Sequence, residues 1–256
     1  MPSSSASSHS SFHWPAGRRA ALSLSFDDAR PSQLDSGIPI LNRHGVRATF
    51  YVSLHNVEPR LTEWRAALAA GHEIGNHTIR HPCSANFCWS RDSALEDYTL
   101  ADMEAEILAA NDRIRDLLGV VPRTFAYPCG QTFVGRGADC ASYVPVVARH
   151  FLAGRGFMSE TFNNPSVCDL AQLCAAACDG LSFEQLRSAV NALIEEGGWM
   201  ILCGHEVRVA GGQTVQGSVL DEFCACVSAL SPGLWVDTVA AVGEHVRGER
   251  KRSGGY

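Results

Sequence analysis

From Ala20 to the last helix, short apolar runs alternate with amphipathic stretches along the chain. The runs at 21–26 (ALSLSF), 49–53 (TFYVS), 73–76, 123–127, 151–157, 200–203 and 234–236 read as strands. Between them, 33–44 predicts a helix closed by Gly45, and 61–70 one ended by Gly71. The clearest helix is 100–118, where Leu100, Met103, Ile107, Ala110, Ile114 and Leu117 step by three and four and Gly119 is the stop. Ser182 and Gln185 form a capping box for a helix through Glu196. Further helices are expected at 219–230 and from about Thr238. Some seven such alternations without a break in composition predict a parallel α/β sheet. An open doubly wound sheet and a closed barrel share this pattern, and periodicity does not choose between them.

Composition narrows the function more than the fold. With 46% hydrophobic and 19% charged residues, the 256-residue chain is globular, which excludes disorder as its main state. Lys and Arg number 21 against 27 Asp and Glu, a net charge of −6. No basic surplus is available to neutralise a phosphate backbone, so nucleic acid is excluded as a partner. No apolar run reaches the ~18 residues that a membrane span needs. The Ser- and His-rich stretch 1–17 reads as a flexible leader without the apolar segment of a secretory signal. One domain is expected over 18–247, with a polar tail at 248–256. The ten cysteines, at spacings such as Cys83/Cys88, Cys174/Cys178 and Cys224/Cys226, lack the paired C-x2-C units of a zinc ribbon. Buried free thiols are the expectation, and a few disulfides the alternative in an exported protein.

Ligand sites in α/β folds gather at the carboxyl ends of strands, and three such ends carry chemistry. Asp27 and Asp28 close the first strand, where two adjacent carboxylates repel unless a cation lies beside them. His77 and His81 follow the third strand, four residues apart, a spacing that shares one face of a helical turn. His205 follows the 200–203 strand. One carboxylate and two histidines leave room for water, the layout of a catalytic zinc site. Other residues have structural readings. His72 reads as a core or rim histidine, His44 as a helix C-terminal cation, and Cys203 as strand packing. Cys83 and Cys88 after His81 offer an alternative Cys/His metal cluster. Trp89, Phe87 and Trp64 are open to sugar stacking or to core packing.

These segments resemble the NodB-like polysaccharide deacetylases, carbohydrate esterase family 4. The resemblance rests on Ser25–Asp28 (SFDD), 45–52 (GVRATFYV), 71–78 (GHEIGNHT) with His81 and Pro82, 125–130 (FAYPCG) and 201–205 (ILCGH), in the family's order over nearly the whole chain. It implies a distorted (β/α) barrel of about seven strands, one divalent ion, usually zinc, and removal of acetyl groups from an acetylated carbohydrate. By motif match, Asp28, His77 and His81 are the metal ligands, Asp27 the base, His205 the acid, and the main-chain N–H of Cys129 the oxyanion donor. The residue types agree, because a Lewis-acidic ion polarises a carbonyl while a carboxylate and an imidazole handle protons. N-deacetylation of an N-acetylglucosamine polymer or oligomer leads. An O-acetyl xylan esterase or an allantoinase-like amide hydrolase keeps the fold and changes the bond, and a non-catalytic carbohydrate-binding relative is the third reading. The chain as written predicts a cytoplasmic protein, with export left open by the family. Three positions depart from the pattern. Ala126 stands where many members carry an arginine that steadies the base, with Arg30 or Arg80 as substitutes. Ala29 replaces a glycine and fits if its φ is negative. The acid that orients His205 is Glu160, Asp169 or Asp179.

Overall fold

The computed structural model describes residues 12–230 and 232–254. Its main sheet is built from β1 (Ala20–Asp27), β2 (Ala48–Val52), β3 (Glu73–Asn76), β4 (Thr124–Ala126), β5 (Ala153–Arg155), β6 (Ala176–Ala177), β7 (Trp199–Gly204) and β8 (Leu234–Val236). Every pairing in it is parallel, in the order β5-β4-β3-β2-β1-β7-β6, with β8 against the first half of β1. The sheet curls until its edges meet. The Leu173 N–H donates to Gly154 O, and the Gly156 N–H to Leu173 O, just before the chain enters β6. The outcome is the expected distorted (β/α) barrel.

The strand runs are apolar throughout because both faces are covered, as parallel sheets require. All eight residues of β1 are buried. Leu22, Leu24 and Phe26 join the largest apolar cluster, outside the barrel with the helices. Between them Ser23, Ser25 and Asp27 point inward, where Ser25 donates to Leu202 O and Ser23 accepts from the Trp199 indole. Small inward residues leave the barrel room for large ones. Gly75 on β3 is one, since a Cβ there would come within 2.4 Å of the Tyr51 ring.

The helices α1 (Ile38–Arg43), α2 (Leu61–Ala69), α3 (Leu100–Leu118), α4 (Val144–His150), α5 (Phe183–Glu196), α6 (Gly217–Ala229) and α7 (Val239–Arg252) cover the outside. In α3 the Thr99–Asp102 capping box starts the helix and Gly119, at φ 75°, ends it. Its buried stripe is Met103, Ile107, Ala110, Ile114 and Leu118; Leu100 at the first turn stays exposed. The Ser182–Gln185 box opens α5 and Thr238 caps α7.

Several boundaries differ from expectation. The helix expected over 33–44 begins as a wide π-type turn, Gln33–Gly37, before α1. The strand expected over 151–157 is three residues long, and β6, inside the apolar run 173–178 (LCAAAC), was not among the expected strands. Residues 1–11 of the expected leader lie outside the described residues. Its end is packed: Trp14 is buried beside Trp199 and Val242 in one cluster, and its indole N–H donates to Gly197 O. A large ring with a satisfied N–H is worth more inside than in water. The expected tail from Gly248 continues α7 to Arg252, whose last-turn Arg250, Lys251 and Arg252 suit the negative helix end.

Candidate active site

Parallel strands deliver their carboxyl ends to one rim. Phe26 pairs with Gly204 across β1 and β7, so Asp27 and His205 leave the sheet side by side. Asn76 pairs with Phe125, which brings His77 to the end of β4, and Ala126 pairs with Arg155 on β5. Asp27, Asp28, His77, His81, Cys129 and His205 all line one cleft of about 800 Å³, within the usual range for a small-molecule site.

Asp27 sits in the dry interior. Its Oδ1 pairs with the guanidinium of Arg155, and its Oδ2 accepts from Cys203 Sγ at 3.3 Å. Arg155 is wholly buried, lies over the Tyr51 ring at 4.7 Å and donates to Gly156 O. Burial pushes the Asp27 carboxyl up, but Arg155, His77 and His205 outweigh it and hold the pKa below its ordinary value. Gln33, also buried, donates from one amide nitrogen to Asp27 O (2.6 Å) and His205 O (2.8 Å) and so ties the two strand ends together.

Asp28 divides its two oxygens. Oδ2 accepts from Arg30 at 2.9 Å, while Oδ1 lies 3.7 Å from His77 Nε2 and 3.8 Å from His81 Nε2. The two Nε2 atoms are 3.1 Å apart. Since a carbonyl only accepts, His77 Nδ1 must carry the proton in its 2.9 Å bond to Ala126 O, which leaves a lone pair on Nε2. Burial opposes the Asp28 charge, yet His77, His81 and Arg30 keep its pKa at about 2. Burial and the neighbouring His77 depress His81 to about 4, its neutral form. Two imidazole nitrogens, of neutral His81 and of His77, and an ionised oxygen converging on one point suit a divalent ion, and the donor separations approach the edges of a tetrahedron built on ~2.0–2.2 Å bonds.

The histidine pair is not on a helical turn. Residues 77–81 form a loop in which Thr78 (φ 64°) and His81 (φ 51°) are left-handed, and Thr78 Oγ1 accepts the His81 N–H. The rings converge through these two reversals and not through helical periodicity. Ala29 likewise departs from expectation, with φ at +53° next to Asp28 at +73°. The turn that aims Asp28 needs left-handed backbone, and alanine accepts it at a steric cost.

His205 Nδ1 is 2.6 Å from Asp179 Oδ2, and its main-chain N–H donates to Asp179 Oδ1. Among the three acids considered for this role, Asp179 alone reaches it: Asp169 caps Ala171, and Glu160 is exposed. Burial pulls the His205 pKa down, but Asp179 and Asp27 leave it raised overall.

Neither expected substitute for the missing arginine contacts Asp27. Arg30 pairs with Asp28, and Arg80 with Glu106 at 3.2 Å. Arg155 takes the place from the adjacent strand, at the position paired with Ala126 itself. The only trace of it in the sequence is an arginine inside an apolar run. His72 has structural partners, accepting from the Ala48 N–H and meeting Asn42 Oδ1 at 3.0 Å. Trp64 lies in the core, whereas Phe87 and Trp89 are exposed in the cleft, with Trp89 5.6 Å from the His81 ring. All ten cysteines are free thiols. No helix among the described residues is long and apolar enough to cross a membrane.

Residues 16–135 match the polysaccharide deacetylase family profile, a stretch that holds Asp27, Asp28, His77, His81 and Cys129. A chitooligosaccharide deacetylase of Sinorhizobium fredii is 34% identical over 93 residues, 36% of this chain and 38% of its own length. The peptidoglycan-N-acetylglucosamine deacetylase PgdA of Listeria monocytogenes is 30% identical over 110 residues, 43% of this chain and 21% of its own. The matched stretch thus spans well under half of these curated relatives. A solved polysaccharide deacetylase homologue from Mycobacterium smegmatis superposes at a TM-score of 0.68 and 18% identity, covering 93% of each chain, which extends the shared fold beyond the profile. On its ordered motifs and its profile match, the stretch 16–135 belongs to the polysaccharide deacetylase family, and the barrel as a whole is similar in fold to the NodB-like members of carbohydrate esterase family 4.

Proposed function

We propose that the protein is a zinc-dependent hydrolase that removes acetyl groups from an N-acetylglucosamine-containing glycan. The observation that carries this reading is the meeting of Asp27, Asp28, His77, His81 and His205 in one cleft. Asp28, His77 and His81 would hold the ion; a divalent metal bound there supplies Lewis acidity toward the acetyl carbonyl. The family is metal-dependent, and a mixed carboxylate and imidazole set suits zinc.

The chain's own groups divide the proton work. Asp27, kept ionised by Arg155, takes the proton from the attacking water. The carbonyl oxygen gains negative charge as the tetrahedral centre forms, and the Cys129 main-chain N–H is the donor assigned to it. His205 then protonates the leaving nitrogen. An amine leaves poorly without a proton, and Asp179 keeps one on His205 by accepting from Nδ1; this favours the N-acetyl reading. Phe87 and Trp89 offer exposed ring faces at the cleft on which a sugar can stack. One of the two curated relatives is named for deacetylation of chitooligosaccharide and the other for deacetylation of the N-acetylglucosamine of peptidoglycan. Acetate release from chitooligosaccharides and from acetylxylan, each with and without chelator, tests the reading. Chelator-sensitive release from the chitooligosaccharide is expected. Metal-loaded protein that frees acetate from neither substrate would overturn it.

A further inference from the structure

His81 presents both of its ring nitrogens to neighbouring donor groups. Its Nε2 belongs with His77 and Asp28, whereas its Nδ1 lies 3.6 Å from the Sγ of Cys83. Cys129 Sγ comes from the loop after β4, and one ligand atom each from His81, Cys83 and Cys129 lies within 4.8 Å of the others. Cys88, which the sequence offered as Cys83's companion, is exposed and outside this set. Cys83 is completely buried and Cys129 is half-buried at the cleft, so the donors have a dry wall on one side and an entry path on the other.

We propose that His81 Nδ1, Cys83 Sγ and Cys129 Sγ form a second metal site, for a thiophilic divalent ion of the zinc or cadmium class. A tetrahedral ion with bonds of ~2.3 Å to sulfur and ~2.0 Å to nitrogen spans an N···S edge of about 3.5 Å, close to the 3.6 Å between His81 and Cys83. Two sulfurs and an imidazole select soft and borderline ions over magnesium or calcium. The fourth position faces the cleft, where water completes the shell. Binding releases the two thiol protons; filling both sites at once also removes the His81 Nδ1 proton and leaves the ring as an imidazolate between two ions. The site does not depend on the proposed reaction. One consequence does: an ion on Cys129 stands beside the proposed oxyanion donor, so excess zinc or cadmium is expected to inhibit.

The test is a cobalt(II) titration of reduced, metal-free protein, read by thiolate-to-cobalt charge-transfer absorption and by elemental analysis after gel filtration. Wild type is expected to bind two ions and show the thiolate band. Cys83→Ser and Cys129→Ser should each lose the band and one equivalent, while His77→Ala keeps the band and loses the other equivalent. Using both serine variants, each checked for native circular dichroism, guards against misfolding of the buried one. A wild type without the band overturns the second site, as does a band that survives both substitutions. A band in a protein that releases no acetate refutes the proposed function and leaves the site standing.

Discussion

Two halves of the cleft are built on opposite plans. The strand-borne half, Asp27 with Arg155, Tyr51 and Cys203, is buried, and its charges are neutralised inside the protein. The loop-borne half, Asp28 with His77, His81 and Cys129, lies on segments with left-handed residues at positions 28, 29, 78, 81 and 129, and much of it reaches solvent. A proton acceptor must keep one position and one charge state, and a dry ion pair enforces both. The proposed metal donors would gain their final order from a bound ion, so a loop suffices to bring them within reach. The first half is therefore expected to tie activity to folding, and the second to tie activity to metal.

The largest effect should come from Asp27→Asn. Turnover is expected to fall 10²–10⁴-fold, as removal of a general base does, with bound metal unchanged. The same substitution strands the Arg155 charge in the interior, which costs about 3–5 kcal/mol. Denaturant unfolding beside metal analysis reads both, and wild-type stability in this variant would break the contrast. Next comes His81→Ala, which should abolish tight metal binding yet shift the unfolding free energy of metal-free protein by about 1 kcal/mol or less. Metal at a hundredfold its Kd should stabilise the wild type by about 2.7 kcal/mol and leave this variant unaffected. A metal-free variant that unfolds far more easily would show that the loop half has structural duties of its own.

A third measurement concerns His205, which as the proposed acid must be protonated to act. Asp179, Asp27 and Asp28 raise its pKa against the pull of burial, so the alkaline limb of kcat/KM should lie above the ordinary imidazole value near ~6.5. Asp179→Asn keeps an acceptor for Nδ1–H and removes the charge. The limb should then move to lower pH by roughly one unit, and an unmoved limb would detach Asp179 from the acid. The smallest effect is expected from Ala29→Gly. Relief of the left-handed alanine should raise stability by about 0.5–1 kcal/mol, visible as a higher urea midpoint. A lower midpoint would mean that the buried methyl contributes more than the strain takes away.

The sequence by itself determined the alternation of strands and helices, the ends of α3 and α5, and the strand-end positions of Asp27, Asp28, His77 and His205. These follow from local rules, since apolar period, capping boxes and stop glycines act within a few residues. Tertiary structure alone decided the partners. Arg155 reaches Asp27 from 128 residues away because β5 pairs with β4 beside Ala126, and Asp179 reaches His205 because β6 pairs with β7. Cys129 rather than Cys88 joins Cys83 for the same reason, since the loop after β4 folds back over the histidine loop. A chain rule sees neighbours along the backbone, but a buried charge is neutralised by whatever the strand order places beside it, and that order is a property of the closed barrel.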